Sequence, residues 1–462
     1  MIPLPQVSGK RYGVVGLGKS GRASVAALLA GGASVLAWDD KVETVPDGAV
    51  RHDFRSGGWP ALEGLVWSPG VPFLHPMPHA AAVRARAAGC PLVCDIDLLA
   101  GSGTKAALAG VTGTNGKSTT TALLAHTLNE AGRPAVAGGN IGAAALDLPN
   151  LGADGTYVLE LSSYQLELCR TARFPVGIWL NLTPDHLDRH GGMHGYAAAK
   201  SRLWRNSQPG DVAVIGTDGA FGQAEAATAA KLGRRVVPVS GSRLPAGGVG
   251  VRDGVLTDAT GGGGATAILS LSECPALPGA HNAENAAAAA AAAMAMGLGH
   301  AEIAAGFRTF PGLAHRQERV RRIGHVTYIN DSKATNAEST AKALDCYPRI
   351  YWIAGGLAKA GGIAPLAPWF GRIAQAFLIG QAAGGFAETL EATHVPYVQA
   401  GDLATAAAAA HAAAQADTRD SVVLLSPACA SFDQWPSFER RGDAFRDAVN
   451  MLKENSLEEP GP

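Results

Sequence analysis

One glycine-dense turn restricts the fold of this chain more than any other feature of the sequence. It reads Gly110-Val-Thr-Gly-Thr-Asn-Gly-Lys-Ser-Thr119 and stands between the apolar stretch 106–111 and a helix-like segment, 120–130. Glycines let successive backbone N–H groups point at one anion, a lysine adds a positive charge, and a serine hydroxyl can bind magnesium. The order of strand, loop, lysine, hydroxyl and helix predicts a nucleotide phosphate site, although Val111 stands where the strict pattern has glycine.

Length and composition indicate the fold class. At 462 residues the chain is too long for one ordinary core, and we expect about three domains. An apolar fraction of 47% with 59 glycines fits α/β layers, in which small residues let helices pack close to sheets. The formal net charge of −1 gives no general attraction for nucleic acid or anionic lipid, so any anion must be bound at a local site.

The distribution of cysteines and apolar residues indicates a cellular compartment. The six cysteines show no CxxC pair and no zinc-like spacing, which favours free thiols in a reducing environment. No apolar stretch approaches the length of a membrane span, and the first residues lack the regions of a signal peptide. We therefore expect a cytoplasmic protein that neither inserts into a membrane nor binds nucleic acid.

Apolar strands alternate with helical segments along the whole chain, which predicts mostly parallel sheets covered by helices. A βαβ unit is expected over residues 11–39, and a new α/β unit after Pro311-Gly312. The pattern loosens at 95–104, where we place a boundary. The predicted domains are 1–98, 99–312 and 313–462.

Two segments of low complexity fall in the central region. Residues 241–271, with the glycine run 261–264, are expected to form a small β excursion or a flexible loop. The alanine run 286–293 has high helix propensity and predicts a closely packed helix.

A second glycine motif lies near the start of the chain. Gly16, Gly18 and Gly21 follow a strand and open a helix, and Asp39 stands about 20 residues beyond them. This matches the dinucleotide fingerprint. The physical requirements of the motif, however, are met by any ligand that places a diphosphate at the helix N-terminus and a sugar or base near the acid. A nicotinamide or flavin dinucleotide and another nucleotide diphosphate therefore remain equal alternatives at this motif.

Charged residues follow the central strands. Glu160 ends an apolar strand, where a carboxylate can bind Mg²⁺ as a Walker B acid does. The loop 185–190 holds two acids and two histidines, which favours metal or phosphate chemistry, but it offers no third strong ligand for zinc. Lys200 lies in a helical pattern, and composition alone predicts a solvated side chain there.

Polar segments also follow three predicted strands in the last third of the chain. Loops at the carboxyl ends of parallel strands share one edge of a sheet, so we expect these segments to form one site. They are Asn330-Asp-Ser-Lys-Ala-Thr-Asn336, Gly355-Gly-Leu-Ala-Lys359 and Ser426-Pro-Ala-Cys-Ala-Ser431-Phe-Asp433.

Together these motifs resemble those of the Mur ligases of peptidoglycan synthesis. The resemblance covers nearly the whole chain, and the segments after Asn330 and Ser426 are similar to those of the D-glutamate-adding members. It implies three domains: a Rossmann-like N-terminal domain for a UDP moiety, a central P-loop ATPase domain, and a Rossmann-like C-terminal domain for an amino acid. Further carriers of the resemblance are Gly138-Gly-Asn-Ile-Gly142, His281-Asn-x-x-Asn285 and His315-Arg316.

The resemblance implies an ATP-dependent ligase that adds D-glutamate to UDP-N-acetylmuramoyl-L-alanine through an acyl phosphate, acting as a monomer. The UDP substrate would meet Lys19, Ser20, Asp39, Asp40, Gly70, Asn140 and His186. ATP would meet Gly113, Thr114, Asn115, Gly116, Lys117, Ser118, Thr119, Asn282, Asn285, Arg316 and Asp331. D-glutamate would meet Thr335, Lys359, Ser431 and Phe438.

The resemblance also implies two Mg²⁺ sites and a carbamylated lysine, which would replace the solvated role of Lys200 by metal binding. The expected metal ligands are Ser118, Glu160, His186 and Lys200. The residues expected to act in the reaction are Lys117, His186, Lys200, Arg316 and Lys333. Three alternatives remain: another amino-acid ligase of the superfamily, a nicotinamide-dependent oxidoreductase that leaves the phosphate loop unexplained, and a binding protein that closes on ATP without chemistry.

Overall fold

The computed structural model describes residues 1–358 and 361–452, which contain three β-sheets of five, nine and six strands. This confirms the predicted α/β class. The first two sheets lie in one compact unit, formed by Met1–Cys274 and Asn282–Phe310. The third sheet lies in a second unit, formed by Pro275–His281 and Pro311–Pro462. Within the described residues no helix is both long and apolar enough to cross a bilayer.

The first sheet consists of β1 (Arg11–Val15), β2 (Ser34–Trp38), β3 (Val50–Arg51), β4 (Gly64–Trp67) and β5 (Leu92–Val93). All neighbouring strands are parallel, in the order β3-β2-β1-β4-β5. A Cβ on Gly21 would overlap the carbonyl oxygen of Gly16, so the helix after β1 packs this close only because Gly21 has no side chain. The third glycine of the dinucleotide-type motif thus serves close helix–strand packing.

The second sheet consists of β6 (Ala107–Thr112), β7 (Ala135–Gly139), β8 (Thr156–Glu160), β9 (Val176–Trp179), β10 (Val212–Gly216), β11 (Arg235–Ser240), β12 (Val249–Arg252), β13 (Val255–Asp258) and β14 (Thr266–Ser270). The order is β14-β13-β12-β11-β10-β9-β6-β8-β7. Strands β6 to β12 pair in parallel, and β12, β13 and β14 form an antiparallel extension. Of the two alternatives predicted for residues 241–271, a small β excursion or a flexible loop, the structure shows the β excursion.

The third sheet consists of β15 (Glu318–Ile323), β16 (Val326–Asn330), β17 (Ile350–Gly355), β18 (Ile373–Ile379), β19 (Tyr397–Gly401) and β20 (Ser421–Leu425). The order is β15-β16-β20-β17-β18-β19, with only the β15–β16 pair antiparallel. Because β16, β20 and β17 are neighbours, the three polar segments leave the sheet side by side, as their positions predicted.

Helices cover the faces of the sheets. In the first unit they are α1 (Lys19–Ala30), α2 (Ala80–Ala87), α3 (Asp95–Ala100), α4 (Lys117–Glu130), α5 (Ser163–Leu168), α6 (Leu187–His190), α7 (Met193–Ser201), α8 (Ala220–Lys231), α9 (His281–Ala295, whose first residue belongs to the second unit) and α10 (His300–Thr309). In the second unit they are α11 (Ala337–Leu344), α12 (Ala383–Ala392), α13 (Leu403–Ala416) and α14 (Phe438–Asn450). Short 3-10 helices occupy Pro5–Val7, Ala145–Asp147, Arg202–Trp204, Leu271–Glu273 and Ala364–Arg372.

The loosened pattern at 95–104 contains a helix, α3, that sequence analysis did not predict. Ile96, Leu98 and Leu99 are buried, and the carboxylate of Asp97 accepts hydrogen bonds from the backbone N–H groups of residues 170–172. These contacts attach α3 to a connection of the second sheet, and the burial of its apolar side chains stabilises this short helix. The domain boundaries remain predictions, and the one after residue 98 falls within this helix.

Candidate active site

The phosphate loop follows β6 and ends where α4 begins. Gly113 and Gly116 have φ values of +152° and +83°, which favour glycine. Helix α4 begins at Lys117 rather than at the predicted residue 120, so Ser118 and Thr119 lie in its first turn. The Nζ atom of Lys117 donates hydrogen bonds to the carbonyl oxygens of Gly113 (3.0 Å) and Thr114 (2.8 Å). A cation and a helix N-terminus thus meet at one loop, an arrangement that binds phosphate.

Two residues that sequence analysis did not identify support this loop. Asn181, just after β9, accepts hydrogen bonds from the backbone N–H groups of Thr114 and Asn115, the second through its side-chain oxygen at 2.9 Å. Its side-chain N–H donates to Oε2 of Glu284 at 2.7 Å. Burial raises the pKa of Glu284. The available signal was a polar residue at the carboxyl end of the strand beside β6.

The structure places Asn282 and Asn285, predicted for ATP, next to the same loop. Asn285 donates a side-chain hydrogen bond to Asn282 (2.9 Å) and accepts one from Thr120 (3.4 Å). A Cβ on Gly116 would overlap Oδ1 of Asn285, so helix α9 approaches the loop closely. This proximity agrees with a role for both amides beside a bound nucleotide.

Glu160 ends β8, the strand next to β6, and only 3% of the residue is exposed. Its Oε1 atom accepts a hydrogen bond of 2.8 Å from the side chain of Asn140. Its Oε2 atom is buried and has no hydrogen-bond partner in the part of the chain that the structure describes. A buried carboxylate oxygen without a partner is costly and is a ligand that Mg²⁺ prefers. The residue therefore fits a magnesium site beside the phosphate loop.

Lys200 is buried, with 1% of the residue exposed, and the solvated side chain predicted from composition is wrong. Its Nζ donates to the carbonyl oxygen of Gly113 at 2.7 Å and lies 4.6 Å from the ring centre of Tyr196. Burial, followed by the nearby charge of Lys117, holds the pKa of Lys200 well below 10.5. The amine lies on the loop and is shifted toward its neutral form.

His186 lies at the entrance of α6 with φ +53° and is exposed. Its ring packs against the rings of Tyr164 (5.0 Å between centroids) and Tyr196 (6.1 Å). Partial burial lowers the pKa of His186; the charge of Asp185 opposes this shift and that of Lys200 adds to it, so a neutral imidazole is favoured. Across residues 1–358 and 361–452 no three His, Cys, Asp or Glu side chains gather as a metal cluster. A metal here would need phosphate or water ligands as well.

The acid of the dinucleotide-type motif is engaged by the backbone. The carboxylate of Asp39 accepts hydrogen bonds from the N–H groups of Leu17 (2.6 Å), Lys41 (2.8 Å) and Val42 (3.0 Å). Although partial burial opposes it, these donors lower the pKa of Asp39. Asp39 therefore fixes the loops at the carboxyl ends of β1 and β2.

The other residues predicted for a UDP moiety lie around the same strand ends. Asp40 accepts hydrogen bonds from the side chains of Trp38 and Arg55 and lies 2.8 Å from Nε2 of His79. Lys19 donates to the carbonyl oxygen of Gly142, which brings α1 next to the Asn140 loop. Ser20 is half-buried in the first turn of α1, and Gly70 is exposed after β4.

In the second unit, Asp331 follows β16 and is buried. Its carboxylate accepts hydrogen bonds from Ser426 Oγ (2.8 Å) and from the backbone N–H of Gln317 (3.2 Å). Burial raises the pKa of Asp331 to about 7, opposed by these bonds and by the charge of Arg316. The segments after β16 and β20 are thus joined, and Arg316 lies within electrostatic reach.

The residues predicted for D-glutamate also belong to this unit. Ser431 is buried after β20, Thr335 is half-buried, and Phe438 opens α14 with Lys333 Nζ 5.6 Å from its ring centre. Lys359 lies outside the described residues. The structure brings the other three onto neighbouring segments of one sheet edge.

A glycine loop with an adjoining lysine and a buried carboxylate, on a mostly parallel sheet, fits the nucleotide-binding core of the Mur ligase class. The model of the Mur ligase middle domain matches residues 111–293. The chain is 52% identical over 457 residues to a protein of Paramagnetospirillum magneticum named UDP-N-acetylmuramoylalanine--D-glutamate ligase, covering 98% of this chain and 99% of the relative. A protein of Rhodospirillum rubrum with the same name is 50% identical, with 98% and 97% covered.

A solved structure, UDP-N-acetylmuramate-alanine ligase of Thermotoga maritima, has the same fold with a TM-score of 0.58 and 16% identity, covering 96% of this chain and 100% of the other. The chain belongs to the UDP-N-acetylmuramoylalanine--D-glutamate ligase family of the Mur ligases. It is an ATP-dependent amide ligase.

Proposed function

We propose that this enzyme joins D-glutamate to UDP-N-acetylmuramoyl-L-alanine at the expense of ATP, in the cytoplasmic synthesis of peptidoglycan precursors. The observation that carries the proposal is the 52% identity over 98% of the chain to a ligase of that name. The phosphate loop in the first unit and the joined polar segments of the second support it. We further propose that the enzyme acts as a monomer and does not insert into membranes.

The chemistry explains why such a site is needed. A carboxylate is a poor electrophile, so the alanyl carboxylate oxygen attacks the γ-phosphorus of ATP, and the bond from that phosphorus to ADP breaks. The amine of D-glutamate then attacks the carbonyl carbon of the acyl phosphate. The tetrahedral intermediate expels phosphate, and the amine loses its proton. Both steps bring anions together, and two such charges 4 Å apart repel by about 4 kcal/mol at an effective dielectric of 20.

Cationic side chains and backbone N–H groups would supply the opposing charge. Lys117 and the N–H groups of residues 113–119 would hold the β- and γ-phosphates, and Arg316 would meet the γ-phosphate as it transfers. Lys117 already lies over the loop, at 2.8 Å from the carbonyl oxygen of Thr114. Asn282 and Asn285 would meet the adenine, and Asp331 the ribose.

Mg²⁺ fits the residues present. Ser118 and Glu160 would hold one ion, and the unpartnered Oε2 of Glu160 is the observation in favour of it. His186 and Lys200 would hold a second. Magnesium bound in these places would neutralise phosphate charge.

For Lys200 to bind a cation its amine must become an anion. We propose that the neutral amine adds CO₂, forming an N–C bond and releasing a proton, to give a carbamate. Burial beside Gly113 and a lowered pKa favour the neutral amine that this addition needs. Partial recovery of Lys200→Ala activity by small carboxylates supports the carbamate. Failure of that rescue, together with absence of a labile CO₂ adduct, contradicts it.

The acceptor carries two carboxylates and one amine. Thr335 and Lys359 would bind the α-carboxylate, and Ser431 with the Phe438 backbone would bind the side-chain carboxylate, because hydroxyl and N–H donors satisfy such groups. Lys333 would lie near the transferring phosphate or the acceptor.

An acceptor panel tests the function. ADP formation is measured with the UDP substrate and, in turn, D-glutamate, L-alanine, lysine and diaminopimelate. Only D-glutamate is expected to support turnover, and oxygen-18 in the substrate carboxylate is expected to appear in the released phosphate. Turnover with another acceptor points to another amino-acid ligase, whereas label absent from phosphate excludes the acyl phosphate. Oxidation of reduced nicotinamide would instead support the dehydrogenase alternative.

A further inference from the structure

Helix α14 carries a fully buried arginine beside the four acceptor segments, which are the segments that follow β16, β17 and β20 and the start of α14 at Phe438. Arg441 is 0% exposed and is among the largest fully buried side chains of the described chain. Its backbone N–H donates to the carbonyl oxygen of Ser437 in the first turn of the helix. Burying a guanidinium is expensive unless its N–H groups are used, so its contacts indicate what it does.

The guanidinium joins two of the acceptor segments. Its Nε donates to Ser332 Oγ at 3.0 Å, and its Nη2 donates to the carbonyl oxygens of Ser332 (2.9 Å) and Cys429 (3.0 Å). Ser332 follows β16, three residues before Thr335, and Cys429 follows β20, two residues before Ser431. One rigid planar group thus sets the separation of these two segments.

The same network includes the other two acceptor segments. Ser332 Oγ donates to the carbonyl oxygen of Phe438 at 2.8 Å. A Cβ on Gly356, in the segment after β17, would lie 3.1 Å from Nη1 of Arg441, so this glycine lies directly against the guanidinium. Leu357 and Ala430 exchange backbone hydrogen bonds of 2.9 and 3.1 Å, which hold the segment after β17 against the one after β20.

The Nη1 atom of Arg441 is buried and has no hydrogen-bond partner among residues 1–358 and 361–452. Burial lowers the pKa of Arg441 to about 10, and the carboxylate of Asp433 opposes this. An interior chosen for stability alone would favour an apolar side chain of similar volume over an incompletely satisfied cation. Arg441 therefore lies where its guanidinium contacts Ser332, Cys429 and Gly356, although its burial is incompletely compensated.

We propose that Arg441 is the positioning residue of the acceptor pocket, and that its guanidinium holds Thr335, Ser431 and Phe438 at the separation that the two carboxylates of the acceptor require. The inference rests on the proposed function. It assigns Arg441 to binding of the amino acid and not to transfer of phosphate from ATP. Lysine keeps the charge but cannot span three acceptors in one plane, so Arg441→Lys should misplace the segments.

The test compares Arg441→Lys with Arg440→Lys, the same exchange at the exposed neighbouring position. For Arg441→Lys the KM for D-glutamate is expected to rise about tenfold or more, which is the size of a lost charged hydrogen bond. The KM values for ATP and the UDP substrate should change less than about twofold. Arg440→Lys should leave all three unchanged.

A second readout separates positioning from general damage. Hydroxylamine, added in place of D-glutamate, attacks the acyl phosphate directly and yields a hydroxamate and phosphate without using the acceptor pocket. Hydroxamate formation by Arg441→Lys should equal that of the wild type. An unchanged KM for D-glutamate overturns the inference, as does an equal loss of hydroxamate formation and acceptor turnover.

If Arg441→Lys does not fold, Ser332→Ala tests the inference instead. It removes the hydrogen bonds of Ser332 Oγ to Arg441 Nε and to the carbonyl oxygen of Phe438, and it keeps the bond from Arg441 Nη2 to the Ser332 carbonyl oxygen. It should raise the KM for D-glutamate about threefold or more and leave hydroxamate formation unchanged, and no rise overturns the inference. If the wild type uses another amino acid, the proposed function fails. The same KM comparison with that acceptor then still decides the role of Arg441.

Discussion

The side chains of Asn140 and Glu160 share one hydrogen bond, which leaves the second carboxylate oxygen of Glu160 without a partner among the described residues. The amide of Asn140 donates to Oε1 at 2.8 Å, while Oε2 is buried without a partner. Asn140 therefore holds the carboxylate in one orientation with its second oxygen available to a cation. Fixing a ligand by a neighbouring hydrogen bond is how proteins tune metal sites.

Glu160→Gln should lower kcat about 100-fold and raise the Mg²⁺ concentration needed for half-maximal activity, because an amide oxygen is a weaker ligand than a carboxylate. Without nucleotide or metal the variant should be at least as stable as the wild type, since a buried, half-satisfied charge has been removed. Activity is measured across a Mg²⁺ titration and stability by thermal unfolding. A normal Mg²⁺ dependence contradicts the assigned metal role.

Lys200→Met should abolish ligase activity, and at neutral pH it should be more stable than wild type kept free of CO₂, in which Lys200 is an amine. The folded pKa lies below 10.5, so between the two pKa values the unfolded chain binds more protons. The wild type therefore loses stability as the pH falls below 10.5, and this loss is complete once the pH is below the folded pKa. Thermal unfolding at pH 7 and pH 9 measures the effect, and the advantage of the variant should be larger at pH 7. An equal difference in melting temperature between variant and wild type at pH 7 and pH 9 would contradict the lowered pKa of Lys200.

Asp331→Asn should remove a component of the pH dependence of stability. Burial raises the folded pKa to about 7, from an ordinary value of 3.8. Between these values the folded state binds the proton, so the wild type loses stability as the pH rises from about 4 to about 7 and no further above it. Melting temperatures at pH 5 and pH 8 should therefore differ less in the variant. Identical pH profiles would show that Asp331 does not titrate in this range.

Asn181→Ala should raise the KM for ATP about tenfold, because the N–H of Asn115 and the carboxylate of Glu284 lose a common partner. The KM for D-glutamate should be unaffected, since the acceptor residues belong to the other unit. Asn206→Ala is the matched control. Its amide donates to the backbone carbonyl oxygens of residues 170 and 172, outside the phosphate loop. A similar rise of the ATP KM in the control would count against a specific role.

Gly21→Ala should destabilise the protein by about 1–3 kcal/mol, because the new Cβ overlaps the carbonyl oxygen of Gly16. Gly18→Ala is the control, since a Cβ there meets no atom within 4 Å and φ is −68°. Its stability should change by less than about 1 kcal/mol. Thermal unfolding of the two variants without substrate gives the comparison, and equal melting temperatures would contradict it.

Much of this architecture was predictable from local sequence patterns. Glycine spacing, apolar strands and the polar residues that end them indicated the phosphate loop, Glu160 and the three adjoining segments of the third sheet. Those features depend on residues close in sequence. The pattern did not show that Lys200 is buried, because its burial depends on Tyr196 and on the loop almost 90 residues earlier. It likewise did not distinguish Arg441 from the exposed arginine beside it in a polar helix.

The alanine run of α9 has a consequence for how this enzyme can change. Each of the eight residues 286–293 is at most 2% exposed, so the helix is enclosed on all sides. Any larger side chain would displace the helix axis, and with it the amide of Asn285 that touches Gly116. The low-complexity alanine run therefore has a steric role, because it keeps helix α9 narrow. The small size of these eight side chains therefore sets the distance between the phosphate loop and the amide of Asn285.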